Sequence, residues 1–337
     1  MRRTRRAQLA HPLNWILVLI AGAFFLILFI AIIRMVTDTN RGLTDVKTLG
    51  RVQNIIDSSQ SDPGTMGIYS LPKIITRCEL GNPYTIELSG QTREYLTQAL
   101  FSPRLLDGET IIWSEELRFP APITSTTYLF PENTLVLILK EDGDLHYTIT
   151  NLLDSLNTKE IYPADLETYN ARGHDLVIVL SAGDLNTRNF RTSAQVHGVR
   201  IQGGARPSEV GTLTFYKNTG QFVDDGGASY ATKELLLAGI FAGSRERYLC
   251  GRSVVEERML FLSTLEYERL MIINNTLETV WPEKCLIAYD QALTLYEGLN
   301  NQLDSSGLGD TGPLHNIKSQ LLIQHNVLRK EGCPALR

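Results

Sequence analysis

The longest apolar run in the chain, residues 15–33 with the sequence WILVLIAGAFFLILFIAII, holds nineteen positions without a charge. At 1.5 Å rise per residue, a helix of that length nearly covers the hydrocarbon core of a bilayer. Pro12 and Asn14 precede the run. Trp15 opens it where an interfacial aromatic belongs, Ile33 closes it, and Arg34 supplies a cation able to reach the headgroups. The pattern predicts a transmembrane helix over residues 15–36 behind a basic tail at 1–14. Arg2, Arg3, Arg5 and Arg6 lie before the span, against Arg34, Arg41 and Lys47 just after it. That bias places the N-terminus in the cytoplasm and the remainder outside. A cleaved secretory signal would have a shorter apolar region ending at a small-residue site, whereas Arg34-Met35-Val36-Thr37-Asp38 follows here, so an uncleaved single-pass anchor is expected.

Beyond the anchor, Leu43, Val46, Leu49, Val52 and Ile56 recur at helical spacing, interrupted by Gly42 and Gly50, and a polar run leads to Asp62-Pro63-Gly64. Residues 37–67 therefore read as a juxtamembrane helix and linker. From 68 to 230 the pattern is strand-rich. Strands are expected over 73–78, 84–88, 110–113, 126–130, 135–140, 175–180, 196–201 and 211–216, with a short helix over 151–157. The uniformly apolar 135–139 and 176–180 suit strands covered on both faces. From 231 to 337 the period becomes helical, over 233–242, 245–277, 283–303 and 315–330, with 305–313 as a mobile loop. Leu286, Tyr289, Leu293, Tyr296, Leu299 and Leu303 step by threes and fours, and Trp281-Pro282 turns the chain. The expected fold is α+β or α/β: an N-terminal transmembrane helix, a strand-rich α/β ectodomain, and a C-terminal antiparallel helical hairpin with a third helix.

Charge narrows the possible partners. Of 32 Lys and Arg and 37 Asp and Glu, residues after 36 retain 27 basic against 37 acidic, a net charge of −10. An acidic ectodomain is a poor nucleic-acid binder, and no nucleic-acid partner is expected. Cys78, Cys250, Cys285 and Cys333 lie far apart on the side expected to be oxidising. The favoured pairs are Cys285 with Cys333 and Cys78 with Cys250; buried free thiols stay open, because spacing does not define connectivity. There is no CxxC pair, and the six histidines never fall at ligand spacing, so neither metal nor cofactor is expected. Asn274-Asn275-Thr276 is an acceptor sequon for glycosylation of Asn274.

Motifs for chemistry are sparse. Neither GxxxxGK[ST] nor GxGxxG occurs. Ser181-Ala182-Gly183-Asp184 follows an apolar strand, at the carboxyl end where α/β sites gather, but the GxSxG elbow is missing. An exoplasmic hydrolase using Ser181, Asp184 and His174, with His197 nearby in sequence, is one alternative; loop residues in solvent are the plainer reading. Asp224-Asp225-Gly226-Gly227 reads as a turn, without the ligand series of a calcium loop.

Arg5-Arg6-Ala7-Gln8, directly ahead of the apolar helix, resembles the processing site of archaeal class III signal peptides, although Ala7 stands where glycine is common. That likeness implies a pilin-like filament subunit whose mature chain begins at Gln8. With Phe101-Ser102-Pro103, Thr214-Phe215-Tyr216 and Leu237-Ala238-Gly239-Ile240-Phe241, the layout resembles uncharacterised archaeal single-pass membrane proteins. The resemblance implies lineage and layout, and no activity. The leading expectation is a non-enzymatic structural or protein-interaction subunit of a cell-envelope assembly, bound to other envelope proteins or to copies of itself as a homo-oligomer.

Overall fold

A computed structural model describes residues 10–78, 83–119, 121–140, 145–203, 210–277, 282–309, 311–334 and 336. Arg5, Arg6, Ala7 and Gln8 lie outside the described residues. The chain forms two compact units, Met1–Arg51 and Val52–Arg337. Helix α1 covers Ala10–Ser61, so Gly42, Gly50 and residues 58–61 are all helical. The expected breaks do not occur, because a lone glycine costs a helix only about 1 kcal/mol. In the first unit, Val18–Met35 has a mean hydropathy of 2.7 and none of it is buried. A helix of a soluble domain would cover an apolar stripe; this one is apolar and bare all round, as a span in lipid requires.

Among the described residues, the second unit contains two six-stranded sheets and four C-terminal helices, a mixed α+β fold. The first sheet comprises β1 (Met66–Arg77), β2 (Tyr84–Leu88), β3 (Gln91–Tyr95), β4 (Ala99–Phe101), β5 (Leu105–Arg118) and β6 (Pro122–Pro131). Its order is β3-β2-β1-β5-β6-β4, antiparallel except where β4 runs parallel to β6. The second comprises β7 (Thr134–Leu139), β8 (Thr158–Ile161), β9 (Leu176–Ser181), β10 (Gln195–Gly203), β11 (Gly211–Asn218) and β12 (Phe222–Tyr230), in the order β12-β11-β10-β9-β7-β8. Here β8, β7, β9 and β10 are parallel, and β11 and β12 continue antiparallel. Helix α2 (Leu145–Leu152) links β7 to β8, earlier than the helix expected over 151–157.

Alternation explains the apolar runs. Val136, Ile138, Leu176, Ile178 and Leu180 face the main core, while Leu135, Leu137, Leu139, Val177 and Val179 face a second one with Leu166, Leu185 and Phe222. Helix α3 (Lys233–Phe241) packs in the main core and is buried over every residue from Leu235 on, with Thr232 Oγ1 capping Leu235 N–H. Its Phe241 stacks on Phe130 with centroids 4.3 Å apart and meets the edge of Trp113. Truncating such a ring to alanine typically costs 3–5 kcal/mol.

Helices α4 (Arg245–Leu277), α5 (Glu283–Ser306) and α6 (Thr311–Lys330) complete the same core. Asn274 Nδ2 donates to Asp290 Oδ1 at 3.1 Å and Ser263 Oγ to Asn300 Oδ1, so α4 and α5 run antiparallel. Tyr289, Tyr296, Leu299 and Leu303 of the expected stripe are buried. The expected loop at 305–313 is instead the end of α5, a 3-10 turn at Gly307–Gly309 and the start of α6. On the opposite face of the first sheet, Val52 and Ile56 are buried, Ser59 Oγ meets Ser114 Oγ at 2.8 Å, and Gln60 Nε2 donates to Thr127 Oγ1 at 3.0 Å. The residues delimited as 68–230 and 231–337 thus share one core.

Two disulfides tie these layers. Cys78, just past β1, pairs with Cys250 of α4, with Cα atoms 5.9 Å apart. Cys285 of α5 pairs with Cys333 beyond α6, at 6.1 Å. Both fall in the range disulfides require, and they point to an oxidising, extracytoplasmic compartment for this unit.

Candidate interaction surface

Ser181 and His174 sit at opposite ends of β9. His174 lies two residues ahead of β9 and Ser181 closes it, and the five strand steps from Leu176 to Ser181, at about 3.3 Å each, put roughly 17 Å between the two ends. Ser181 is buried, and its hydroxyl donates to Gly183 O and accepts from Gly183 N–H, both at 3.0 Å, closing a local turn. Asp184 Oδ1 accepts from Asn186 N–H at 3.0 Å and from the Tyr216 hydroxyl at 2.7 Å. Those two donors, the backbone amide first, lower the Asp184 carboxyl below its ordinary range, while burial and this carboxylate push the Tyr216 phenol up to about 12. Asp184 is thereby a turn-stabilising acceptor rather than the orienting partner of a base.

His174 lines an open cavity of about 440 Å³ with Asp107, Asp175 and Gln195. Asn133 Nδ2 donates to Gly173 O, which leaves Asn133 Oδ1 as acceptor for His174 Nδ1–H at 3.0 Å. His197 stands on the neighbouring strand β10 opposite Ile178, three positions from Ser181 along β9, and is buried there, donating from Nε2 to Ile240 O at 2.8 Å. Burial lowers its pKa to about 4, so it is a neutral core histidine. Asp224-Asp225-Gly226-Gly227 is part of β12 rather than a separate turn, with Gly226 at φ 98° beside a bulge at Asp225, where two steps of β12 oppose the single step Phe215–Tyr216 of β11. Its carboxylates are engaged: Asp224 accepts from Gly226 N–H, and Asp225 takes Lys217 and Arg245 N–H. Among the described residues, no cluster of His, Cys, Asp and Glu is arranged to hold a metal.

The surface feature that the sequence reading missed lies on α4. The inward side chains Tyr248, Val255, Met259, Ser263, Glu266 and Leu270 are buried. The outward face should then be polar, yet it carries Phe261 (56 % exposed), Leu265 (46 %) and Ile272 (66 %). Spacings of four and seven align the three on one stripe. Leu265 also borders a groove of about 240 Å³ walled by Phe119, Ile123, Leu262 and Tyr296, with the Glu266–Arg269 ion pair (2.6 Å) at its side. Three large apolar groups aligned on one helix, opening onto an apolar groove, have the character of a contact surface for another macromolecule. The signal was present as a second apolar period on α4, hidden beneath the stronger inward one.

Asn274 lies within α4, with its amide donating to Asp290. Trp15, Ile33 and Arg34 all lie within α1, and the Ile33 side chain is 61 % exposed. No family model, no curated protein and no solved structure matches the chain.

Proposed function

We propose that this protein is a membrane-anchored, extracytoplasmic structural or protein-interaction subunit of a cell-envelope assembly, acting through binding rather than catalysis. The α4 stripe of Phe261, Leu265 and Ile272 beside an apolar groove carries the reading. The bare apolar helix at Val18–Met35 supports the anchor, and the two disulfides support an exterior location for the folded unit. The arginine bias before the span supports a single pass with the N-terminus inside. The separation of Ser181 from His174 weighs against the hydrolase alternative, since a nucleophile needs its base within hydrogen-bond reach.

The test is the size of the complex extracted from native membranes with mild detergent, for the wild type and for Leu265→Glu with Ile272→Glu. The wild type should migrate with other envelope proteins, and the variant should be released from them with both disulfides intact. Identical migration of the two proteins would remove the stripe as the contact. A processed, pilin-like filament subunit of archaeal type is the second reading, favoured by Arg5-Arg6-Ala7-Gln8 directly ahead of the apolar helix.

A further inference from the structure

A strand edge exposes unpaired N–H and C=O groups, and proteins protect such edges with charge, proline, bulges or a covering element. Most edges here are protected. β3 carries Arg93 and Glu94, and β8 carries Lys159 and Glu160. β12 is held by α4 through Arg245 Nε to Gly227 O (2.8 Å) and the Tyr248 hydroxyl to Ser229 O (2.8 Å). β4 lies under α4, where a Cβ on Gly251 would stand 2.6 Å from Leu100 O.

Among the described residues, the first half of β1 has none of these devices. β2 pairs with β1 only from Ile75 to Arg77, whereas β5 pairs with it from Met66 onward. Residues 63–72 contain no charge, and Pro72 and the irregularity between Leu71 and Ile74 come only at the far end. The hydrogen-bond phase identifies the groups left over. Ser114 N–H donates to Thr65 O, so Gly67, Tyr69 and Leu71 turn toward β5. Met66, Ile68 and Ser70 then direct their N–H and C=O groups to the open side. After the irregularity the phase inverts, as Thr76 N–H donating to Arg104 O and Ile75 pairing with β2 require. The side chains of these three residues are exposed, Met66 at 38 % and Ile68 at 53 %. Met66 and Ile68 stand opposite Trp113 and Ile111 and form the uncovered rim of the main core layer, while Ser70 stands opposite Glu109.

We infer that the edge at Met66, Ile68 and Ser70 is a homodimer interface, completed by the same strand of a second copy running antiparallel across a two-fold axis. Centred on Ile68, the two strands place Met66 opposite Ser70 of the other copy. Three outward residues on each side exchange about six backbone hydrogen bonds. The edge is self-complementary: residues 63–72 are uncharged, so no like charges meet among them, Ile68 covers its own symmetry mate, and Met66 packs diagonally against it. The inference goes beyond the proposed function, which uses the α4 stripe. Only one point draws on that reading: anchoring two copies in one membrane raises their effective concentration.

The experiment is oxidative cross-linking of Ile68→Cys in native membranes, with Thr92→Cys on the charged β3 edge as control, together with the mass of detergent-solubilised Ile68→Lys. Across the two-fold axis the residue-68 Cα atoms would lie about 5.5 Å apart, inside disulfide range. A cross-linked dimer from Ile68→Cys alone is expected, with conversion of wild-type dimer to monomer by Ile68→Lys at an unchanged circular-dichroism spectrum and a midpoint lowered only by the lost association. No Ile68→Cys dimer, or a dimer that survives Ile68→Lys, overturns the inference. An adduct with a different protein at that position overturns the second-copy assignment, and none of these results alters the outcome of the α4 test.

Discussion

The Cys78–Cys250 bond should be the strongest single covalent contribution to the stability of the folded unit. It joins residues 172 positions apart, linking the end of β1 to α4, whereas Cys285–Cys333 closes 48. In the chain-entropy account the constraint on the unfolded state grows with the logarithm of loop length, giving about 5 kcal/mol for the longer loop and about 4 kcal/mol for the shorter. With an unfolding entropy of about 2 cal/mol/K per residue over Val52–Arg337, 5 kcal/mol corresponds to a fall of roughly 8 °C in midpoint. The perturbation is Cys78→Ser with Cys250→Ser, which avoids a lone buried thiol. The assay is thermal unfolding of the full chain in detergent, followed by tryptophan fluorescence at one scan rate beside Cys285→Ser with Cys333→Ser. Both doubles should lose stability, the first slightly more. An unchanged midpoint in the first double would refute the reasoning, as would a peptide map without reductant that pairs the cysteines differently.

Three further outcomes follow from the same structure. Burial holds His197 near pKa 4 against an ordinary 6.5, with Arg247 adding to the effect, so the folded chain keeps it neutral while the unfolded chain protonates. Its contribution is complete above about pH 6.5 and is lost toward pH 4, about 3 kcal/mol in all; His197→Gln, which keeps a donor for Ile240 O, should flatten denaturation midpoints measured between those pH values. Gly251→Ala in α4 should destabilise by about 1–3 kcal/mol although alanine is the better helix former, because its Cβ would meet the Leu100 carbonyl at 2.6 Å; a raised denaturation midpoint would show that contact to be slack. Mass spectrometry of the chain from native membranes should find the N-terminal tail intact, and a mature start at Gln8 would favour the filament reading.

Helices were the most legible part of the sequence. α5 and α6 carry apolar periods of three and four, α4 a long inward one and α3 a short uniformly apolar run, and the pattern sets their bounds to within a few residues. β3, β4 and β8 were not legible, since QTREY, ALF and TKEI are too short to show alternation and become strands only through neighbours distant in sequence. β12 was hidden by Asp224-Asp225-Gly226-Gly227, a turn-like string that a bulge accommodates within the strand. The proximity of Ser181, Asp184 and His174 in sequence said nothing of their proximity in space, because an extended strand separates its two ends by its full length. The α4 stripe was readable as a second period. The open edge of β1 was not, because it exists only where β2 stops short of β5.

The most direct test of a membrane-anchored extracytoplasmic interaction subunit is treatment of intact cells bearing Leu265→Cys with a membrane-impermeant thiol-reactive cross-linker. The expected result is labelling without lysis and a discrete adduct with another envelope protein. Labelling only after lysis would contradict the exterior placement, and labelling without any adduct would contradict the α4 contact.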